Sequence, residues 1–181
     1  MNRRTFLIAV AAAPFPGSSA LAEPGISAAP DLFAAVSGLR GIPEGSGGGT
    51  LHILYAPWCP VTPILYRDSR PFLSRLKLNW IPFSGGQPEG RSGTELLLRS
   101  GSASDIPRYF TRLQRTPSLD LAPLADAQDA ALHALMPLYY RDAGGGLSTP
   151  TLFYRLAGDR IRLVKGAPSP AHLEQIARIA A

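Results

Sequence analysis

Cysteine is almost absent from this sequence: Cys59 is the single one among 181 residues. An internal disulfide is therefore excluded, and one thiol with three scattered histidines (His52, His133, His172) makes a poor metal-ligand set, so no metal is expected. Lysine is nearly missing too, at two residues against sixteen arginines, and the basic residues form no run and no pattern interleaved with aromatics. Nucleic acid is accordingly not an expected partner. The glycine clusters neither follow a strand nor open a helix, which excludes a phosphate-cradling loop. No internal repeat is present.

A long apolar stretch is also lacking. The run from Phe6 to Ala13 is too short for a stable membrane span and is followed by Pro14 and Pro16. Arg3 and Arg4 ahead of that run, with Ala20-Leu21-Ala22 before Glu23, instead read as a secretory signal peptide over residues 1–22. Arg3-Arg4-Thr5-Phe6-Leu7 also resembles the twin-arginine export signal. These observations predict a periplasmic or otherwise exported protein. Removing the signal takes two of the 18 basic residues and none of the 13 acidic ones, leaving 16 against 13, a net charge of +3 on 159 residues. That is enough chain for one domain with a real core. In an oxidising compartment an unpaired cysteine is either a reactive thiol or an intermolecular bridge; the bland alternative is a small buried hydrophobe.

The chain is organised around Leu51-His-Ile-Leu-Tyr-Ala-Pro-Trp-Cys-Pro-Val-Thr-Pro63. An apolar run of strand length leads through Pro57 and Trp58 to Cys59, and an amphipathic helix kinked by Pro71 follows. Pro60 suits the first helical turn, whereas Pro63 restrains Thr62. A thiol at such a helix start meets unpaired N–H groups, which favour thiolate. Upstream, residues 23–49 read as a mobile start, a short helix capped by Asp31 and a Pro/Gly/Ser loop from Gly41 to Gly49. Downstream, Leu76 to Phe83 reads as a strand parallel to the first.

Residues 85–147 read as a helical insertion. Ser92-Gly-Thr-Glu95 has capping-box spacing, Gly101 ends that helix, Asp105 caps a second, and a third runs from Asp120 until Pro137 interrupts it. Arg108, Arg112 and Arg115 are expected on a solvated face. Thr151 to Leu156 and Arg160 to Val164 then form a hairpin about Ala157-Gly158-Asp159, followed by a last helix from Ser169 or Pro170.

Ala56-Pro57-Trp58-Cys59-Pro60-Val61-Thr62 resembles the active-site turn of thioredoxin-fold proteins, particularly the periplasmic disulfide isomerases of the DsbC/DsbG type. The order of elements agrees with that fold, so the fold class is α/β, a thioredoxin-like central sheet with a helical insertion, over residues 50–181. The resemblance implies that Thr149-Pro150 is the cis-proline loop facing Cys59 and that its backbone pairs with an extended substrate segment. It also implies thiol–disulfide exchange with exported protein thiols or disulfides. Those isomerases carry an N-terminal dimerisation domain, for which 27 residues before position 50 are too few. Their second active-site cysteine is replaced here by Thr62.

That replacement governs the functional expectation. A threonine hydroxyl is too weakly acidic to resolve a mixed disulfide near neutral pH, so a self-contained dithiol cycle is excluded. Three readings remain: a monothiol disulfide oxidoreductase or isomerase resolved by an external thiol such as glutathione, a non-catalytic binding or chaperone protein with a degenerate site, and an inert relic. Trp58 is either a groove wall or core. No bound cofactor is implied. Export makes its own prediction: N-terminal sequencing of protein recovered from the cell envelope should begin at Glu23, and an intact Met1 form confined to the cytosol would refute it.

Overall fold

Strand β3 (Gly49–Tyr55) is the strand on which the sheet is centred, because it is buried on both faces. The computed structural model describes residues 23–110 and 118–181. The signal-like segment with Arg3, Arg4 and Ala20-Leu21-Ala22 lies outside them, as do Arg112 and Arg115. Among the described residues β3 pairs in parallel with β4 (Leu76–Pro82), Leu51 facing Leu78 and Ile53 facing Trp80. On its other side it pairs antiparallel with β5 (Thr151–Arg155), which continues into β6 (Ile161–Lys165). Two three-residue strands, β1 (Ile26–Ala28) and β2 (Ile42–Glu44), close the edges, giving the order β1-β6-β5-β3-β4-β2.

Side chains on successive strand residues point to opposite faces, and this alternation builds two apolar layers. Leu51, Ile53, Tyr55, Leu78, Trp80, Leu152 and Tyr154 face one way, with Leu65, Leu97, Leu173 and Ile176 packed among them. These last come from helices α2 (Thr62–Ser69), α3 (Pro88–Ser100) and α5 (Pro170–Ile179). Leu54, Ile81, Phe153 and Leu163 face the other way, against Leu32, Phe33, Leu132, Leu135 and Tyr139 of α1 (Pro30–Ser37) and α4 (Pro123–Ala143). Cys59 belongs to this second layer. No helix among the described residues is long and apolar enough to cross a membrane.

Several local expectations are corrected. Residues 23–30 are not a loose start: β1 pairs with β6, the Tyr154 hydroxyl donates to Pro24 O at 2.7 Å, and Glu23 meets Arg160 and Arg162. The loop expected from Gly41 contains β2, whose Glu44 accepts from Trp80 Nε1 at 2.9 Å and pairs with Arg70. Short edge strands like these are selected by tertiary partners rather than by an internal pattern. Asp31 does not cap α1, whose N-cap is Ala29. From inside the first turn its carboxylate accepts the Leu32 amide at 2.8 Å and pairs with Arg141 at 2.7 Å, tying α1 to α4, and the Arg141 guanidinium chiefly holds it down to about 2.

The region between β4 and β5 also differs from its sequence pattern. Ser92 and Glu95 lie inside α3, which starts at Pro88, so they form no capping box there. Glu95 is fully buried and caps a different helix: its Oε2 accepts from the amides of Leu124 and Ala125, at 2.7 and 2.9 Å, in the first turn of α4. Asp105 sits within a 3-10 segment, Ala103–Tyr109, rather than at its start. Gly101 ends α3 in the left-handed conformation, as its position implies. Pro137 does not stop α4, which continues to Ala143. The last two turns are held from outside, by buried Tyr139 and by Lys165 Nζ donating to the carbonyls of Ala143 and Gly144 at 2.6 and 2.8 Å. These contacts offset the lost helix bond at proline.

Glu95 provides a test of how the helical region is attached. Burial pushes its carboxyl up, but the amides of Ala125 and Leu124 and the Arg99 guanidinium more than offset this and leave it below its ordinary value of 4.5. A lowered folded-state value contributes stability above pH 4.5 that is lost as pH falls through it. Glu95→Ala should cost about 2–3 kcal/mol at neutral pH in urea unfolding, because two helix-terminal amides lose a charged acceptor. The difference from wild type should shrink as the pH is lowered.

Candidate active site

The end of β3 delivers the chain into a tight turn. The Cys59 amide donates to Ala56 O at 3.0 Å, closing the turn over Pro57 and Trp58. Helix α2 begins at Thr62 with Val61 as its N-cap, so Pro63 takes the first-turn position expected of Pro60, and Pro60 precedes the helix. Pro63 loses nothing there, since first-turn amides have no intrahelical acceptor. α2 ends at Ser69, and Pro71 lies in a separate 3-10 turn, Arg70–Phe72.

The expected setting of the thiol is changed by this arrangement. Cys59 stands three residues ahead of Thr62 and packs into the layer beneath α4, while α2 covers the opposite layer. Prolines 60 and 63 carry no N–H, leaving only Val61 and Thr62 amides in that stretch. Cys59 is 4 % exposed, and its S–H donates to the carbonyl of Thr149 at 3.0 Å. Thr62 is fully buried, and its hydroxyl has no hydrogen-bond partner among the described residues, Cys59 included.

Thr149 is therefore the residue that meets the cysteine turn. The Thr149–Pro150 peptide bond is cis. Besides receiving the thiol on its carbonyl, Thr149 accepts the Ala56 amide on Oγ1 at 2.9 Å. The loop is braced on either side: Thr151 Oγ1 donates to Ser148 O at 2.6 Å, and the Gly166 amide donates to Pro150 O at 2.8 Å.

Trp58 is half-buried and forms a fixed wall. Its Nε1 donates to Ser84 O at 2.7 Å, and Ser84 is in turn held by Asp129 of α4, through its amide at 2.9 Å and through its hydroxyl. Two glycines make room for the indole. A Cβ on Gly85 would come within 2.9 Å of Trp58 Cζ2, and one on Gly90 within 2.7 Å of Cδ1 and 2.5 Å of Ser84 O. Between this wall and Thr149 opens a cleft of about 370 Å³, mostly apolar, floored by Phe83, Leu132, Met136 and Leu147. The same side chains pack in the buried cluster that contains Cys59.

Cys59, Trp58 and Thr149 are thus brought together, with Pro150 beside them; Pro60 and Val61 connect turn to helix. His133 and Asp129 of α4 also reach the cleft, and sequence spacing gave no sign of either. The other histidines do not: His52 sits between Ser37 Oγ and Asn79 Nδ2, at 3.3 and 3.1 Å, and burial lowers its basicity. His172 lies in α5. Arg108 is exposed and meets Asp105 at 3.4 Å.

Thr149→Val tests the junction. Removing Oγ1 leaves the buried Ala56 amide without its acceptor, which should cost about 1–3 kcal/mol in thermal or urea unfolding. Alkylation of Cys59 should accelerate as the turn loosens. Unchanged stability would show that the bond does not hold the turn.

No protein-family model matches the chain, and no curated protein does either. Solved structures are similar in fold. DsbA2 of Pseudomonas aeruginosa superposes with a TM-score of 0.52 at 16 % identity, covering 74 % of this chain and 90 % of that one. A disulfide interchange protein of Neisseria gonorrhoeae gives 0.50 at 16 % identity, covering 77 % and 94 %. ScsC of Proteus mirabilis in a compact conformation gives 0.50 at 14 % identity, covering 82 % and 76 %. At these identities the likeness concerns the fold alone: a central mixed sheet with helices on both faces and a helical insertion, the thioredoxin-like α/β fold.

Proposed function

We propose that this protein exchanges thiols and disulfides through Cys59 alone, as a monothiol disulfide oxidoreductase or isomerase. The observation that carries the reading is the placement of the chain's one thiol: Cys59 Sγ lies 3.0 Å from the carbonyl of Thr149, at the cis-Pro150 loop and beside an apolar cleft. In the reaction, the Cys59 thiolate attacks one sulfur of a substrate disulfide. A Cys59–substrate disulfide forms and the other substrate sulfur leaves as thiolate. Thr62 cannot attack that bond, so an external thiol, glutathione or a protein thiol, releases the substrate. The isomerase-like motif around Trp58-Cys59-Pro60-Val61-Thr62 supports shuffling of exported protein disulfides. The Arg3-Arg4-Thr5-Phe6-Leu7 start supports action outside the cytoplasm, reached by the twin-arginine route.

One observation favours a second reading, a peptide-binding or chaperone protein with a degenerate site: Sγ is nearly buried and its proton is engaged by a carbonyl. The two separate on a non-reducing gel after incubation with an oxidised, unfolded secreted protein. Exchange predicts a covalent complex that persists without glutathione, dissolves when it is added, and is absent from Cys59→Ser. Thr62→Cys should then release substrate without an added thiol. A Cys59 that resists alkylation in the folded protein, with binding unaffected by Cys59→Ser, would establish the chaperone reading instead.

A further inference from the structure

The exchange reading leaves one step without a residue to perform it. An external thiol must lose its proton before it can attack the mixed disulfide, and the groups around Cys59 are poorly suited to take that proton. Thr149 presents a carbonyl, and the Thr62 hydroxyl is buried without a partner among the described residues. The cleft beside Cys59 carries two titratable side chains, Asp129 and His133, one helical turn apart on α4. Asp129 is committed to the amide and hydroxyl of Ser84. His133 is exposed and shares the cleft with Trp58 and Thr149, which flank the thiol.

The helix itself sets His133 apart. Pro137 has no N–H to donate to the His133 carbonyl, so α4 is released from its regular bonding at that turn. On its inner side Leu132, Leu135 and Met136 pack with the cluster around Cys59. Buried neighbours therefore fix the stretch of α4 that carries His133, while His133 itself is exposed at the cleft.

We infer that His133 is the general base of the resolving step. This rests on the exchange reading. The imidazole takes the proton of an incoming small thiol in the cleft; the thiolate so formed attacks the Cys59 sulfur of the mixed disulfide. A new disulfide forms between Cys59 and the small thiol, the substrate sulfur leaves as thiolate, and the imidazolium returns its proton to the departing sulfur or to water. A second equivalent of thiol frees Cys59. Imidazole suits the task because it exchanges protons near neutral pH. Of the other charged groups on elements packed against α4, Glu89 of α3 lines a separate cleft with Pro88, Ser92 and Ser118, Arg91 pairs with Asp126, Glu95 with Arg99 and the start of α4, Asp31 with Arg141, and Lys165 with the carbonyls of Ala143 and Gly144.

The test uses the chain labelled at Cys59 with thionitrobenzoate, whose release as a coloured anion needs no proton. Glutathione should release it from His133→Gln at least about tenfold more slowly than from wild type near neutral pH; a general base contributes roughly 10²–10⁴-fold at full effect, and the fraction of glutathione already ionised narrows the difference. Pentafluorothiophenol, already ionised, should release it at equal rates from both. The variant's rate with glutathione should follow the ionisation of glutathione alone, and the wild-type rate should exceed it. Equal rates with glutathione, or an equal slowing with both thiols, would overturn the role of His133 and leave the exchange reading standing. A Cys59 that takes no label would overturn both.

Discussion

Two hydrogen bonds converge on Thr149, and the geometry of the candidate site depends on them. The Ala56 amide reaches its hydroxyl and the Cys59 thiol reaches its carbonyl. Both donors lie in a nearly solvent-free turn, where an unmade bond costs more than a made one contributes. The turn and the Thr149-Pro150 loop are therefore held to each other although they are separated by some ninety residues of chain. What makes that junction possible is the β3–β5 pairing, with Leu54 opposite Thr151, which brings the end of one strand beside the start of the other.

The helical segment between β4 and β5 is tied into the same place. Glu95 secures the first turn of α4 from α3, Asp129 one turn later holds Ser84, and Ser84 holds the indole of Trp58. This is a chain of buried or half-buried polar contacts running from the helical layer to the wall of the cleft. Its members are mutually dependent, because a buried or half-buried donor left without its acceptor is costly. Gly85 and Gly90 contribute by what they lack: any Cβ there would displace the indole. The cleft is thus shaped by the insertion as much as by the central sheet, and α4 supplies its histidine.

The position of the thiol within the layers has a chemical consequence. Sγ lies on the α4 side of the sheet, with its proton given to a carbonyl, while α2 covers the other side. Under the proposed exchange, attack by this sulfur would require either movement of the turn or arrival of a substrate that takes over the Thr149 carbonyl. An extended peptide adding to that loop would present an amide N–H in place of the thiol proton. Binding of substrate and freeing of the sulfur would then be one event.

The order of elements in residues 50–83 and 147–181, though not the ends of α2, was readable because the signals are local: a buried strand, a proline-marked turn, alternating polarity in the hairpin, and a Ser169 cap whose Oγ accepts the His172 amide. Cys59 as the single thiol, and Thr62 as the residue that cannot resolve a disulfide, are matters of chemical identity that no folding changes. Tertiary structure decided the rest. The edge strands β1 and β2 are too short to carry a periodic signal and exist through Tyr154, Arg162, Arg70 and Trp80. Pro137 should end a helix by local rule, yet α4 passes through it because contacts at Tyr139, Ala143 and Lys165 outweigh one missing bond. Glu95 has capping-box spacing and caps, but across space, on a helix some thirty residues away. His133 reaches the cleft for the same reason: a helix face acquires a neighbour only when another element is packed against it, and spacing along the chain carries no record of which one.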